Sequence, residues 1–411
     1  MIARVDRVVL VLALISVALA IAYGAYLSPQ WDPSRNDQIQ YQALARGLVE
    51  RGEYTRAQVS EPFIPEPLRF PGYPLLIAPL CFAGCSMWSI TVLQALLLGA
   101  LVLMVARFAE PLLGRRGARI SAALVALHPA FAFFAAHALS DLAATVFGFA
   151  GVLATARLTA RPMSGMAAGA LAAATTLVRP FNVFMFPIAA FAARDRAGLR
   201  PILAALGVAA IVFLVAFSPY IAYMERSFGR PIAGSTGAQL WLGYFQGLSG
   251  NRLDAFEREQ ADAGRAALAR FDAIADRVAQ PQAFVALDDE LRSRALSLIG
   301  HDPAGFLARG LVRSVELWAG DVPTRPEDAG PLIDGFWVEL NLMLLGFGLV
   351  GAILLARRGG AMSAIPLAII VATWVLSYPL WAEGRFSLPA RPFVAIGVAA
   401  LVEHLYRRRR V

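Results

Sequence analysis

A chain of 411 residues with 58% hydrophobic and only 16% charged residues, and a mean hydropathy of +0.59, carries too little polar side chain to face water on every side. That composition excludes an ordinary soluble enzyme and points to an integral membrane protein. The formal charge is +8 and every basic residue is arginine; the arginines stand in short clusters between apolar runs, a pattern of membrane topology and not of nucleic-acid binding.

In chain order, Arg4 and Arg7 precede an apolar run, Val8–Leu27, that lacks a clear small-x-small cleavage site and reads as an uncleaved first membrane helix. Further spans are expected at Trp88–Ala109, Ile120–Ala136, Leu142–Ala156, Ile202–Tyr223, Phe336–Ala356, Ile365–Trp381 and Phe386–Leu405, since a crossing needs about 20 apolar residues. The run from Met163 to Ala193 is interrupted by Arg179-Pro180 and predicts two short helices, Gly165–Val178 and Phe181–Ala192, meeting at a polar point near one membrane face. A tenth piece, Tyr73–Phe82, is too short to cross and is expected to be re-entrant or tilted. Cys81 and Cys85 lie four apart in the apolar stretch Leu80 to Met87, a spacing that bridges only with difficulty on a helix and predicts two buried thiols.

The arginines test the topology. With the N-terminus in the cytoplasm and Tyr73–Phe82 not crossing, five clusters fall on the cytoplasmic side, as the positive-inside rule requires. They are Arg115/Arg116/Arg119, Arg157/Arg161, Arg194/Arg196/Arg200, Arg357/Arg358 and Arg407 to Arg410. The long connections Ser28–Gly72 and Glu225–Gly335 are then outside. The expected organisation is a transmembrane module over 1–224 with its first external loop at 28–72, an outer helical domain over 225–335, and C-terminal membrane helices with a basic tail over 336–411.

Both outer stretches carry helical periodicity. Tyr41, Leu44, Ala45 and Leu48 mark one face of a helix that Asn36 or Asp37 starts and Gly52 ends. Ala267, Phe271, Ile274 and Val278 mark a second helix, and Phe284, Leu287, Leu291, Ala295 and Leu298 a third. Asp302-Pro303 separates the third from Leu307, Leu311, Val315 and Trp318. No strand alternation and no internal repeat is visible, so the fold class is an all-α membrane bundle with amphipathic outer helices.

Polar residues gather at the predicted outer ends of the spans: Asp37, Arg69, His137, Asp141, Arg179, Glu383 and Arg385. Arginines hold a phosphate bidentately, and a carboxylate kept apart from it takes the proton of an attacking hydroxyl. A sugar on a polyprenyl phosphate has the matching shape, with its tail in lipid and its phosphate at the interface. Structural roles compete with these: Asp37 or Asp141 as a helix cap, Glu383 paired with Arg385, His128 and His137 as satisfied helix residues. No cluster suits zinc. The other function classes are a transporter or flippase of a lipid-linked sugar, to which the Arg179 break points, and an assembly protein whose outer helices bind a partner.

Several segments carry a resemblance: NDQIQYQALARGLVERGEY from 36, RFPGYPLLIAP at 69–79, HPAFAFFAAHALSDLAATVF at 128–147, LVRP at 177–180, LRSRALSLIGHDPAGFLARGLVRSVELW at 291–318 and EGRFSLPARPFVAI at 383–396. In this order the chain resembles the multi-spanning, GT-C-type glycosyltransferases that use polyprenyl-phosphate-linked sugars, the group of the bacterial aminoarabinose transferases and the protein O-mannosyltransferases. The resemblance implies a GT-C-type helix bundle in the bacterial inner membrane, both termini cytoplasmic and the site extracytoplasmic. It implies an inverting transferase with Asp37 as general base and Asp141 as the second acidic residue. Tyr41, Arg69, Tyr73, His137, Arg179, Glu383 and Arg385 become candidate substrate contacts, and the arginines candidates for the lipid phosphate. Asn36-Asp37 replaces the acidic pair of many relatives, which weakens a metal held by adjacent carboxylates; Mg or Mn on Asp37 and Asp141 stays open. The acceptor is a lipid, a polysaccharide or a protein.

Overall fold

Aliphatic length dictates the first element. In the computed structural model Arg7–Leu27 forms α1, whose start is capped by the Asp6 carboxylate accepting from the Val8 N–H at 2.9 Å. The structure describes residues 6–28, 37–159, 161–197, 199–231, 234–248, 253–277, 281–321, 323–324, 328 and 330–409. Arg4, Asn36, Val278 and Arg410, and the side chains of Arg194, Arg196 and Ile274, lie outside the described residues.

The chain continues through α2 (Asp37–Glu50), α3 (Gly72–Cys81), α4 (Met87–Leu127), α5 (Pro129–Ala135), α6 (Ser140–Thr155), α7 (Gly165–Val178), α8 (Met185–Ala197) and α9 (Leu199–Phe228). Four helices follow in the outer stretch: α10 (Thr236–Phe245), α11 (Ala255–Arg277), α12 (Pro281–His301) and α13 (Pro303–Ala319). The last three are α14 (Pro331–Ala356), α15 (Ala361–Ser377) and α16 (Arg391–Arg408). Among the described residues α1, α4, α9, α14 and α16 with the turn before it are long and apolar enough to cross a membrane. The pair α5 and α6, bent by 115°, passes the same test together, and α3, α7, α8 and α15 are shorter apolar helices.

Proline and glycine explain where these elements depart from the expected spans. Ile120–Ala136 is not one helix: His128 precedes Pro129 and takes extended backbone (φ −73°, ψ 119°), ending α4 before α5 begins. The expected turn at Arg115 is present: α4 is two helices joined at a kink, where Gly114 takes non-helical backbone (φ 75°, ψ 178°) just before the arginine cluster. A 3₁₀ stretch, Gly384–Ala390, precedes α16, so the last helix starts at Arg391 and not at Phe386. The break at Arg179-Pro180 stands where it was expected, with Arg179 extended (φ −155°) and a 3₁₀ turn after it. Cys81 and Cys85 are not free thiols: α3 stops at Cys81, Gly84 and Cys85 both take positive φ, and the chain doubles back into a disulfide.

Ion pairs sort the two ends of the bundle. Arg119 pairs with Asp6 at the start of α1 (2.9 Å), Arg116 reaches Glu403 near the end of α16 (3.6 Å), and Arg358 donates to the Leu112 carbonyl (3.4 Å). Three of the arginine clusters therefore share one end. The opposite end gathers the start of α2, the α5–α6 corner, the α7–α8 break and the turn before α16.

The outer helices form their own core around Trp241, Tyr244, Phe271, Phe284 and Leu291; α10, which has no clear sequence signature, supplies the first two. Arg313 of α13 fastens this layer to the bundle. Its buried guanidinium donates to the carbonyls of Tyr378 (2.8 Å), Gly243 (2.7 Å) and Phe306 (2.9 Å), satisfying acceptors from three segments at once. Of the expected series Leu307, Leu311, Val315 and Trp318 on α13, Trp318 is buried and the other three side chains are exposed.

Candidate active site

Helix α2 owes its position to its apolar face. Tyr41, Leu44 and Ala45 are buried, and the Tyr41 ring stands edge-on to Tyr73 of α3 at 5.0 Å while its hydroxyl meets Ser140 Oγ at 3.1 Å. Asp37, in the first turn of α2, is thereby held over the start of α6, with the positive end of its own helix favouring its charge. The Tyr73 hydroxyl is buried and has no hydrogen-bond partner among the described residues.

Arg69 is set by its backbone. Tyr54 donates to the Arg69 carbonyl (2.6 Å), and the N–H groups of Leu68 and Arg69 both donate to Glu66 Oε1 (2.8 and 3.0 Å). Three residues on, Gly72 lies so close to α7 that an added Cβ would stand 2.5 Å from the Leu177 carbonyl carbon and 2.6 Å from the Val178 nitrogen. The missing side chain lets the segment bearing Arg69 meet the helix end bearing Arg179.

The α5–α6 corner is held by two glutamines. Gln94 of α4 donates to the carbonyls of Ala135 (3.2 Å) and His137, and Gln38 of α2 accepts from the Ala138 N–H (2.8 Å). Asp141 is not the N-cap of α6, where Leu139 stands. Its buried carboxylate forms an ion pair with Arg179 at 2.8 Å, without hydrogen-bond alignment. The last contributor is the turn before α16. Gly384 packs backbone to backbone against Gly320, and the Arg385 N–H donates to Asp321 Oδ2 at 2.6 Å.

These segments meet in one charged layer. Arg69 pairs with Asp37 Oδ1, Arg385 with Asp37 Oδ2 (3.2 Å) and with Glu383, and Arg69 Nε donates to Gln40 Oε1 (2.8 Å). The Phe386 ring lies under two guanidinium groups, Arg179 at 5.2 Å and Arg385 at 5.5 Å. Burial pushes the Asp37 carboxyl up, and the charges of Arg69 and Arg385 outweigh it, leaving the group below the usual aspartate range. Glu383 moves the other way: burial raises it, and Asp321 adds to the rise against the opposing pull of Arg385.

Of the residues singled out from the sequence, Asp37, Arg69 and Arg385 form one ion-pair network with Glu383, and Asp141 pairs with Arg179 beside it. Tyr41 and Tyr73 pack beneath. His137 does not join by hydrogen bond; its Nδ1 turns back to the Phe133 carbonyl at 2.9 Å. Sequence reasoning passed over Gln38 and Gln40, although both stand in the segment that flagged Asp37. It also passed over Gln94, Phe386 and Asp321; Asp321 follows a long helical stretch with no local signal.

A divalent metal on Asp37 and Asp141 does not fit this arrangement. Both oxygens of Asp37 face guanidinium groups and Arg179 stands on Asp141, so a cation there would meet three positive charges at close range. Among the described residues no group of three or more His, Cys, Asp or Glu side chains converges on a metal position.

An apolar groove of about 620 Å³ opens between α7, α8 and α9, lined by Ala172, Val183, Phe186, Ala209 and Phe213. From Phe213 a run of rings leads back to the charged layer: Phe213–Phe217 (5.4 Å), Phe217–Tyr220 (5.6 Å) and Tyr220–Phe70 (5.0 Å), Phe70 being the neighbour of Arg69.

Comparison with solved structures classifies the architecture. The apo oligosaccharyltransferase of Archaeoglobus fulgidus superposes over 98% of this chain and 51% of its own, with a TM-score of 0.56 and 16% identity. The chain has the GT-C glycosyltransferase fold. Another structure of GT-C fold, the archaeal oligosaccharyltransferase AglB from the same organism in complex with an inhibitory peptide and a dolichol-phosphate, matches 98% of this chain and 51% of that one (TM-score 0.53, 18% identity). The chain thus spans about half the length of these two. A looser likeness is to ArnT from Cupriavidus metallidurans in the apo state (TM-score 0.39, 15% identity, 90% of this chain and 72% of that one). The sequence pattern of the dolichyl-phosphate-mannose-protein mannosyltransferase family matches residues 71–223, the part from Pro71 at α3 to Tyr223 of α9. No curated protein sequence matches the chain.

Proposed function

We propose that the chain is an inverting glycosyltransferase that moves a sugar from a polyprenyl-phosphate donor to an acceptor hydroxyl on a lipid, a polysaccharide or a protein. The observation that carries the proposal is the meeting of one ionised carboxylate, Asp37, with three arginines drawn from the first loop, the α7–α8 break and the turn before α16. A site with that charge set suits a phosphate and a proton acceptor together. The fold supports the reading, as does the dolichol-phosphate bound to AglB.

In this mechanism Arg69, Arg179 and Arg385 turn from their carboxylate partners to the donor phosphate. Asp37, released from part of its pairing, takes the proton of the acceptor hydroxyl as its oxygen attacks the anomeric carbon. The bond from that carbon to the phosphate oxygen breaks on the opposite face, and the electron pair leaves with the polyprenyl phosphate. The guanidinium groups offset the added negative charge, a stabilisation that grows toward the transition state. The groove between α7, α8 and α9 takes the apolar tail.

The site is assigned to the extracytoplasmic face of a bacterial plasma membrane, with both termini in the cytoplasm. The arginine-rich end then obeys the positive-inside rule, and the Cys81–Cys85 bridge at the α3–α4 corner sits in the oxidising compartment that preserves disulfides.

The test uses the purified full chain in lipid nanodiscs with a polyprenyl-phosphate sugar and a range of acceptors, following release of free polyprenyl phosphate. Asp37→Asn is expected to lower turnover by about 10²–10⁴-fold while donor binding persists. Full activity in that variant would remove the proposed base.

A further inference from the structure

A second pocket lies at the other end of the same helix that carries Asp141. Helix α6 is 16 residues long, about 24 Å at 1.5 Å per residue. Asp141 stands at its first turn, whereas Leu153 and Arg157 mark its far end. There, between α4, α6 and the start of α15, a cavity of about 440 Å³ is lined by Arg107, Glu110, Arg157, Phe108, Leu153 and Met362, with Pro111 at its edge.

The lining divides by chemistry. Phe108, Leu153 and Met362 make an apolar floor, while Arg107, Arg157 and Glu110 stand at the mouth. Arg157 reaches across from α6 to donate to the Arg107 carbonyl at 3.0 Å, so the two helix ends are tied together at the rim. Arg358 approaches the same part of α4, just before the Gly114 kink, through the Leu112 carbonyl. The charged side chains of the lining are two arginines, Arg107 and Arg157, and one glutamate, Glu110.

We infer that this pocket binds the headgroup of an anionic phospholipid of the leaflet opposite the Asp37 site, with phosphatidylglycerol as the fitting chemistry. The phosphodiester lies between the Arg107 and Arg157 guanidinium groups, a glycerol hydroxyl donates to Glu110, and the first methylenes of the acyl chains cover Leu153 and Met362. Its negative charge suits a lining in which two arginines stand beside one glutamate. Phosphatidylcholine carries the same phosphate but neither the net charge nor a hydrogen-bond donor for Glu110. Basic pockets between membrane helices favour anionic headgroups on these grounds.

The experiment is native mass spectrometry of the delipidated full chain in detergent. It is titrated separately with phosphatidylglycerol, with phosphatidylcholine of the same chains and with inorganic phosphate. Phosphatidylglycerol is expected to bind at least tenfold more tightly than phosphatidylcholine, with no measurable binding of inorganic phosphate. The double variant Arg107→Gln/Arg157→Gln should erase that preference. Leu153→Trp, which fills the floor and leaves every charge in place, should weaken phosphatidylglycerol binding at least tenfold. Equal binding of the two lipids, a preference that survives in both variants, or competition by inorganic phosphate at the same concentrations would overturn the assignment. None of these readouts depends on sugar transfer.

Discussion

Asp37 and Arg385 are 348 positions apart in the chain, yet their side chains form an ion pair at 3.2 Å. The pair closes the charged layer, because Arg69 holds the other oxygen of the same carboxylate. Each arginine thereby has a carboxylate partner before substrate arrives. Donor binding then becomes an exchange of a carboxylate for a phosphate, in place of the filling of an empty positive site.

The first consequence concerns pH. Asp37 is held below the usual 3.8 of an aspartate, so in the folded protein it loses its charge only under more acidic conditions than in the unfolded chain. Its pairing contributes fully to stability above about pH 5 and is lost as pH falls through the lowered value. The difference in unfolding temperature between the parent protein and Asp37→Asn should be constant from neutral pH to about pH 5 and should shrink below that. A difference that shrinks instead as pH rises from 5 to 8 would contradict the pairing.

Charge alone should not serve at the arginines. Arg69→Lys and Arg179→Lys keep the positive charge but lose the planar fork that grips two oxygens. Each should lower kcat/KM for the donor by about 10–100-fold, and removal of the charge in Arg385→Ala by about 10²–10³-fold. Steady-state kinetics with varied donor checks the order of these effects.

Gly72 offers a packing test. An alanine Cβ there would overlap the backbone of Leu177 and Val178, and neither atom can swing away as a side chain would. Gly72→Ala is expected to cost about 1–3 kcal/mol and to shift Arg69 relative to Arg179. Thermal unfolding should report the first effect and a raised KM for the donor the second.

Arg313→Met retains much of the side-chain volume but leaves the carbonyls of Gly243, Phe306 and Tyr378 without their donor. The expected loss is about 3 kcal/mol or more, from buried acceptors left unpaired. Limited proteolysis should find the α10–α13 layer cut sooner in this variant, before the membrane helices are attacked.

The groove is tested by filling it. Ala172→Trp narrows the space between α7, α8 and α9 without touching the charged layer. KM should rise for a donor with a long polyprenyl tail and stay unchanged for one truncated to a few carbons. Equal effects on both would place the tail elsewhere.

Some of this organisation was legible residue by residue. The break at Arg179-Pro180 could be read directly, because proline removes an N–H and bars its predecessor from the helix. The same local rule stood at His128-Pro129, yet the continuous apolar run across it read as one span. Cys81 and Cys85 misled for a related reason: four-residue spacing was judged on a helix that in fact ends at Cys81, before Gly84 and Cys85 turn the chain back.

By itself the sequence determined that this is an all-helical membrane chain, where most of its apolar segments lie and which charged side chains interrupt them. Those are local properties, set by the cost of exposing apolar surface and of burying charge. Only the tertiary structure decided that Asp37 faces Arg69 and Arg385, that Asp141 belongs to Arg179, and that Asp321 orients the last turn. Helices packed side by side bring distant segments to one depth, and the contacts that then select partners, such as Gly72 on α7 or Gly384 on Gly320, leave no periodic trace in the chain.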